Sequence, residues 1–209
     1  MEQFVTFLRY KDKNSSSSLP SLETVIELKE KIMDSSYWDF IEVSNGGFFY
    51  GKSLSIYAID SNKDYNDIQS INNMIRKEYS RIIDDEYFFG EEIFGNQFGF
   101  SGKGIVFFNI ETGEKEYIAQ SFKEWLKVID EDLDYYTGKN LSLEWNTQNE
   151  ELKFNERLCP KKPFIIGGEY KVDNLYRCSY PSYFSTNANI ANQVFDLPDG
   201  TPIKLKIVD

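Results

Sequence analysis

Apolar residues along this chain recur in two rhythms, one of three to four positions and one of two, and the switches between them lay out the elements. Phe4, Phe7 and Leu8 have helical spacing, so residues 2–10 are expected to form a short helix, although 4–10 reads as a strand as well. Residues 11–18, with four consecutive serines, form a flexible connector. Leu22, Val25, Ile26, Ile32 and Met33 make one apolar stripe on a helix that Ser21 can cap, and this stripe is expected to face the core. A helix over 36–43 presents Tyr37, Phe40 and Ile41 and stops at Asn45, Gly46 and Gly47. Strands are expected at 48–50 and 54–59, around a Gly51-Lys52 turn. From 65 to 83, Ile68, Ile71, Ile75, Tyr79 and Ile82 mark a helix with one buried face, which leaves Asn72, Asn73, Arg76 and Lys77 in solvent.

Residues 105–110 are apolar on both faces, as befits a central strand, and the turn at 111–114 folds them onto 115–119 as an antiparallel hairpin. Gly95, Asn96 and Gln97 read as a tight turn or bulge that aims Phe94 and Phe98. Ser121 and Glu124 match a capping box, after which Phe122, Trp125, Leu126, Ile129 and Leu133 share one helical face, with Trp125 as a core anchor. Asp130, Glu131, Asp132 and Asp134 fall on the wet side. Residues 136–163 lose all periodicity and read as a connector. Beyond it come a strand at 164–166, a Gly167-Gly168 turn and a helix at 186–195 with Ile190, Ala191 and Val194 inward. After a turn at 196–200, a last strand alternates Ile203, Leu205 and Ile207 with Lys204 and Lys206. The expected architecture is α+β. A mixed, mostly antiparallel sheet flanked by helices occupies a core at 20–135, and a strand-helix-strand extension at 164–209 docks on it within one domain.

Composition narrows the chemistry. The 209 residues include no histidine, which excludes Ser-His-Asp and Cys-His catalysis and the histidine-bearing zinc sites. Cys159 and Cys178 have no metal-type spacing and read as reduced thiols of a cytoplasmic protein. The acids at 130–134 lack the glycine and terminal glutamate of a calcium loop, and no phosphate loop follows Gly102 to Gly104, so neither metal nor cofactor is expected. No apolar run approaches the roughly 20 residues of a membrane span, and the acidic start of the chain does not resemble a signal peptide. The formal charge of −11 is lopsided: residues 156–209 hold six acids and seven bases, whereas 1–155 hold 28 acids and 16 bases. Such a surface repels nucleic acid and anionic membrane and attracts basic proteins, although it also serves plain solubility.

The densest acidic stretch, 78–92, has six acids and one base interleaved with rings. Asp84, Asp85, Glu86, Tyr87, Phe88, Glu91 and Glu92 are the candidate partner-binding residues, with carboxylates steering a basic partner and rings anchoring it. The same rings fit a core beside wet carboxylates, and spacing alone leaves both readings open.

Several segments together resemble the SMI1/KNR4 family of the SUKH superfamily. They are the aromatic helix running into Asn45-Gly46-Gly47, residues 90–98 and 105–110, Glu111-Thr112-Gly113-Glu114 and Ser121-Phe122-Lys123-Glu124-Trp125-Leu126. Gly167-Gly168-Glu169-Tyr170, Asn174-Leu175-Tyr176 and Asp196-Leu197-Pro198-Asp199-Gly200 are similar to longer bacterial members. Where many members start the aromatic helix with Leu-Pro, this chain has Ser35-Ser36. The resemblance implies an α+β fold and no catalytic residues. It further implies, as for many bacterial members, an immunity protein that binds and neutralises a cognate toxin, often a nuclease, and hence a basic partner. A scaffold or regulatory module with a non-toxin partner is the alternative, and an enzyme using paired carboxylates is a more distant one.

Overall fold

A computed structural model describes residues 2–15, 17–198 and 200–206. In chain order it contains helices α1 (Glu2–Leu8), α2 (Leu22–Lys29) and α3 (Ser35–Val43), and strands β1 (Gly47–Phe49) and β2 (Leu54–Ile56). Next come helix α4 (Ile68–Glu78) and strands β3 (Tyr87–Glu92), β4 (Gln97–Ser101), β5 (Gly104–Phe108) and β6 (Lys115–Ala119). Helices α5 (Phe122–Glu131), α6 (Leu133–Thr137) and α7 (Lys139–Gln148), strands β7 (Glu156–Pro160) and β8 (Leu175–Ser179), and helix α8 (Ser182–Val194) complete it.

Strands β1 to β6 form one sheet in sequence order, and all five pairings are antiparallel. One face carries α1, α3 and α5. Phe89 of β3 packs edge-on against Trp125 at 5.0 Å, and Phe122 and Tyr37 lie beside it. The other face carries α4 and α8, and there Phe88 meets Phe108, which lies edge-on to Tyr79 at 5.3 Å. Phe88 and Phe89 face opposite layers by the ordinary alternation of a strand, and the pairing with β4 shifts register between Phe88 and Gly90. Glycine is required at position 90, because a Cβ there would sit 2.5 Å from the Ser55 carbonyl oxygen of the neighbouring strand.

The helix starts follow their caps. Ser121 Oγ accepts the Glu124 N–H at 3.2 Å, and the Glu124 carboxylate accepts the Gln120 N–H at 3.0 Å. Asp34 caps two helices with one carboxylate: Oδ1 accepts from Tyr37 N–H at 3.0 Å and Oδ2 from Phe122 N–H at 2.8 Å. Ser36 Oγ accepts the Lys123 N–H at 3.0 Å and so ties α3 to α5.

Four expectations are corrected. Residues 136–163 are not an irregular connector, since α7 and β7 lie within them. Residues 164–166 form a 3-10 turn rather than a strand, and the extension is a β7–β8 hairpin followed by α8. Residues 203–206 keep their alternation of half-buried and exposed positions but pair with no strand; the Gln193 side chain bonds Lys206 N–H at 2.9 Å and its carbonyl at 3.0 Å instead. Asn72, expected in solvent, is buried and bridges to β3, accepting Phe88 N–H at 2.8 Å and donating to the Phe88 carbonyl at 2.7 Å. Ile207 of the expected last strand, Asp199 of the preceding turn and Ser16 of the serine connector lie outside the described residues.

Candidate partner-binding surface

The seven acidic and aromatic residues of 84–92 do not form one surface. Asp84 and Asp85 are exposed, whereas Glu86, Tyr87, Phe88, Glu91 and Glu92 are buried. The reason is topological. Strand β3 has a neighbour on each side and a helical layer on each face, so even its carboxylates are drawn inside.

Each buried carboxylate has found partners, as burial demands. Glu86 holds Lys115 Nζ at 2.8 Å and accepts the Asp84 N–H at 2.7 Å. Glu91 accepts from Arg157 Nη2 at 2.5 Å, from the Tyr183 hydroxyl at 2.8 Å and from Gln97 Nε2 at 3.1 Å. The Tyr57 hydroxyl donates to Gln97 Oε1 at 2.7 Å and completes the network. Burial first, and the Glu91 charge next, push the Tyr57 and Tyr183 hydroxyls well above their ordinary value, so both remain donors. Arg157 and Tyr183 come from β7 and α8, which makes this network the polar clasp between the C-terminal elements and the sheet. Nothing local in the sequence marks Arg157 as Glu91's partner, 66 residues away.

Glu92 accepts Phe94 N–H and Asn96 N–H, each at 2.9 Å. Burial nevertheless pushes it up to about 8, with the Glu91 charge adding to the shift and the two N–H donors opposing it. Cys159 and Cys178 are both free thiols, and a hydrogen bond from Cys159 draws Cys178 down to about 7. Among the described residues, no group of three or more acids or cysteines is placed to hold a metal ion, and no helix is long and apolar enough to cross a membrane.

What the fold leaves open is helix α2. Leu28 and Ile32 are buried, but Leu22 is 75% exposed, Ile26 59% and Met33 91%. Leu22 and Ile26 fall at i and i+4 on one side of α2, and Met33 lies in the segment between α2 and α3. Leu19 continues the stripe at 69% exposure. The stripe read from the sequence as core-facing is therefore largely bare. Glu23, Glu27 and Glu30 are exposed along the same helix. At its far end Met33, Asp85, Tyr87 and Phe100 line a hollow of about 670 Å³, so one of the two exposed acids adjoins the stripe. Asp85 is held there by the Gly102 N–H at 2.8 Å. A bare apolar stripe among carboxylates is the composition of a protein-recognition face, in which apolar area supplies energy and charge supplies selectivity.

An antiparallel sheet between two helical layers, with one apolar helix face left bare, defines an α+β architecture. The chain belongs to the SMI1/KNR4 family (SUKH-1), whose family model matches residues 21–128. Its fold is shared with the crystal structure of Atu4351 from Agrobacterium tumefaciens, with a TM-score of 0.65 and 14% identity over 97% of this chain and 96% of that one. No curated protein matches the chain. The family match spans α2 and the six-stranded sheet but stops before α6, α7, β7, β8 and α8.

Proposed function

We propose that this chain is a cytoplasmic, non-catalytic immunity protein that binds a cognate bacterial toxin, of basic nuclease type, and neutralises it by occupying it. The observation that carries this reading is the α2 stripe: Leu22, Ile26 and Met33 are apolar yet nothing among the described residues covers them. Family membership and the excess of acids in residues 1–155 support it, because a nuclease that holds phosphates presents a basic surface. Closing a stable complex takes about 800 Å² per partner, which the stripe, its glutamates and Asp85 would share.

Co-expression with the toxin domain encoded by the adjacent gene tests the proposal. Cells should survive the toxin only when the chain is present, and the two proteins should co-purify. Survival without this chain, or no complex at micromolar concentrations, would overturn the reading in favour of a scaffold with a different partner. Leu22→Asp with Ile26→Asp should abolish both rescue and co-purification.

A further inference from the structure

On another part of the molecule, the turn between β3 and β4 meets the segment that follows β7. Phe94, Asn96, Asn109 and Tyr170 are common to two adjoining hollows of about 390 Å³ and 220 Å³. Tyr170 stacks flat on Phe164 at 3.9 Å, with planes 7° apart, and Phe94 meets both rings edge-on at 5.6 Å. Although Phe164 covers one face of Tyr170, that residue is 61% exposed, so its other face is open. Glu92 and Asp134 line the larger hollow and Glu111 the smaller, while among the described residues no lysine or arginine lines either. One oxygen of Asp134 accepts the Asn140 N–H at 2.7 Å, and the other meets no donor among the described residues. The negative field is felt by the ring itself: burial, then Glu92 and Glu111, push the Tyr170 hydroxyl up to about 12.

We propose that this groove receives an arginine side chain of a protein partner, the guanidinium lying on the open face of Tyr170 and pairing with Asp134. A planar cation suits the site for two reasons. It stacks on an aromatic face where a compact ammonium loses hydration, and it offers several N–H donors to carboxylate oxygens at once. The exposed carboxylate of Asp134 supplies the complementary charge, while the buried carboxyls of Glu92 and Glu111 bring no base to the walls. Asp134, Phe164 and Tyr170 lie beyond the segment matched by the family model, whereas Phe94, Asn96 and Asn109 lie within it, so the groove is closed only where the C-terminal elements meet the sheet. The inference rests on the chain being a protein-binding module, and it does not require that the partner be a toxin.

The test is an NMR titration of the full chain with N-acetyl-arginine amide, using the uncharged citrulline analogue as control. Saturable shifts confined to Phe94, Asp134, Tyr170 and their neighbours are expected for arginine, with at least a fivefold weaker response to citrulline. Asp134→Asn keeps an oxygen for the Asn140 amide and should weaken the arginine response at least threefold; Tyr170→Leu keeps Phe164 covered and should do the same. Shifts that never saturate, that spread over the acidic surface, or that are equal for citrulline would overturn the proposal. Binding of the arginine probe by a chain that captures no toxin keeps the groove and discards the toxin. Capture of a toxin by a chain indifferent to the probe does the reverse.

Discussion

Strand β3 and helix α2 treat their side chains in opposite ways. The segment leading into and along β3 buries Glu86, Glu91 and Glu92 with Tyr87 and Phe88, and α2 with its following turn holds Leu22, Ile26 and Met33 out in water. Charge and apolarity alone would have reversed the two. The difference is the number of neighbours: β3 has a strand on each side and helices above and below, whereas α2 is packed on one side only, through Leu28 and Ile32. A carboxylate can be interior when a base or several N–H groups meet it, and an isoleucine can be exterior when another molecule is meant to meet it. Interior charge in this protein is therefore a matter of assembly, and exterior apolar surface is, on the proposed reading, a matter of recognition.

Four experiments would break or sharpen that contrast, in decreasing order of their effect on folding. Arg157→Met leaves Glu91 buried without its cation and should cost about 3–5 kcal/mol in urea unfolding, with most of that loss recovered when Glu91→Met is added. A single-variant loss under about 1 kcal/mol would mean that the clasp contributes nothing to holding the C-terminal elements. Asn72→Leu strands the Phe88 N–H and carbonyl, and a loss of about 1–3 kcal/mol is expected for each buried group left unpaired.

The third experiment concerns pH. Glu92 has an ordinary value of 4.5 and is raised to about 8 in the fold. The folded chain thus binds the extra proton between those values. Its contribution to stability is full below 4.5 and lost as pH rises through about 8. Glu92→Gln should remove that slope, and a variant whose urea midpoint falls with pH as steeply as the parent's would refute the assignment. The fourth has the smallest effect on folding. Leu22→Asp with Ile26→Asp should change stability by no more than about 0.5 kcal/mol, as for bare surface positions, while abolishing partner capture. A large loss of stability would show that the stripe is covered after all.

Much of the sheet was legible along the chain. The 111–114 turn, the Ser121–Glu124 capping box and the apolar faces of α3, α4 and α5 all depend on residues within a few positions of one another, and local physics decides them. The α7 helix was hidden because its asparagine, serine and threonine dilute the apolar rhythm, leaving Trp145 as its one large buried anchor. Strands β7 and β8 were hidden because Arg157, Cys159 and Arg177 break the usual alternation, and their ladder is fixed by pairing with each other.

By itself the sequence determined the identity of most elements, the lack of histidine chemistry and the excess of negative charge, because each of these is a property of neighbours in the chain or of a sum over it. Which carboxylates lie inside, which apolar stripe stays bare and which rings meet Asp134 in a groove were decided by the tertiary structure alone. Solvent access is set by what packs on a residue from elsewhere in the chain, and the pair that joins Glu91 to Arg157 spans 66 positions.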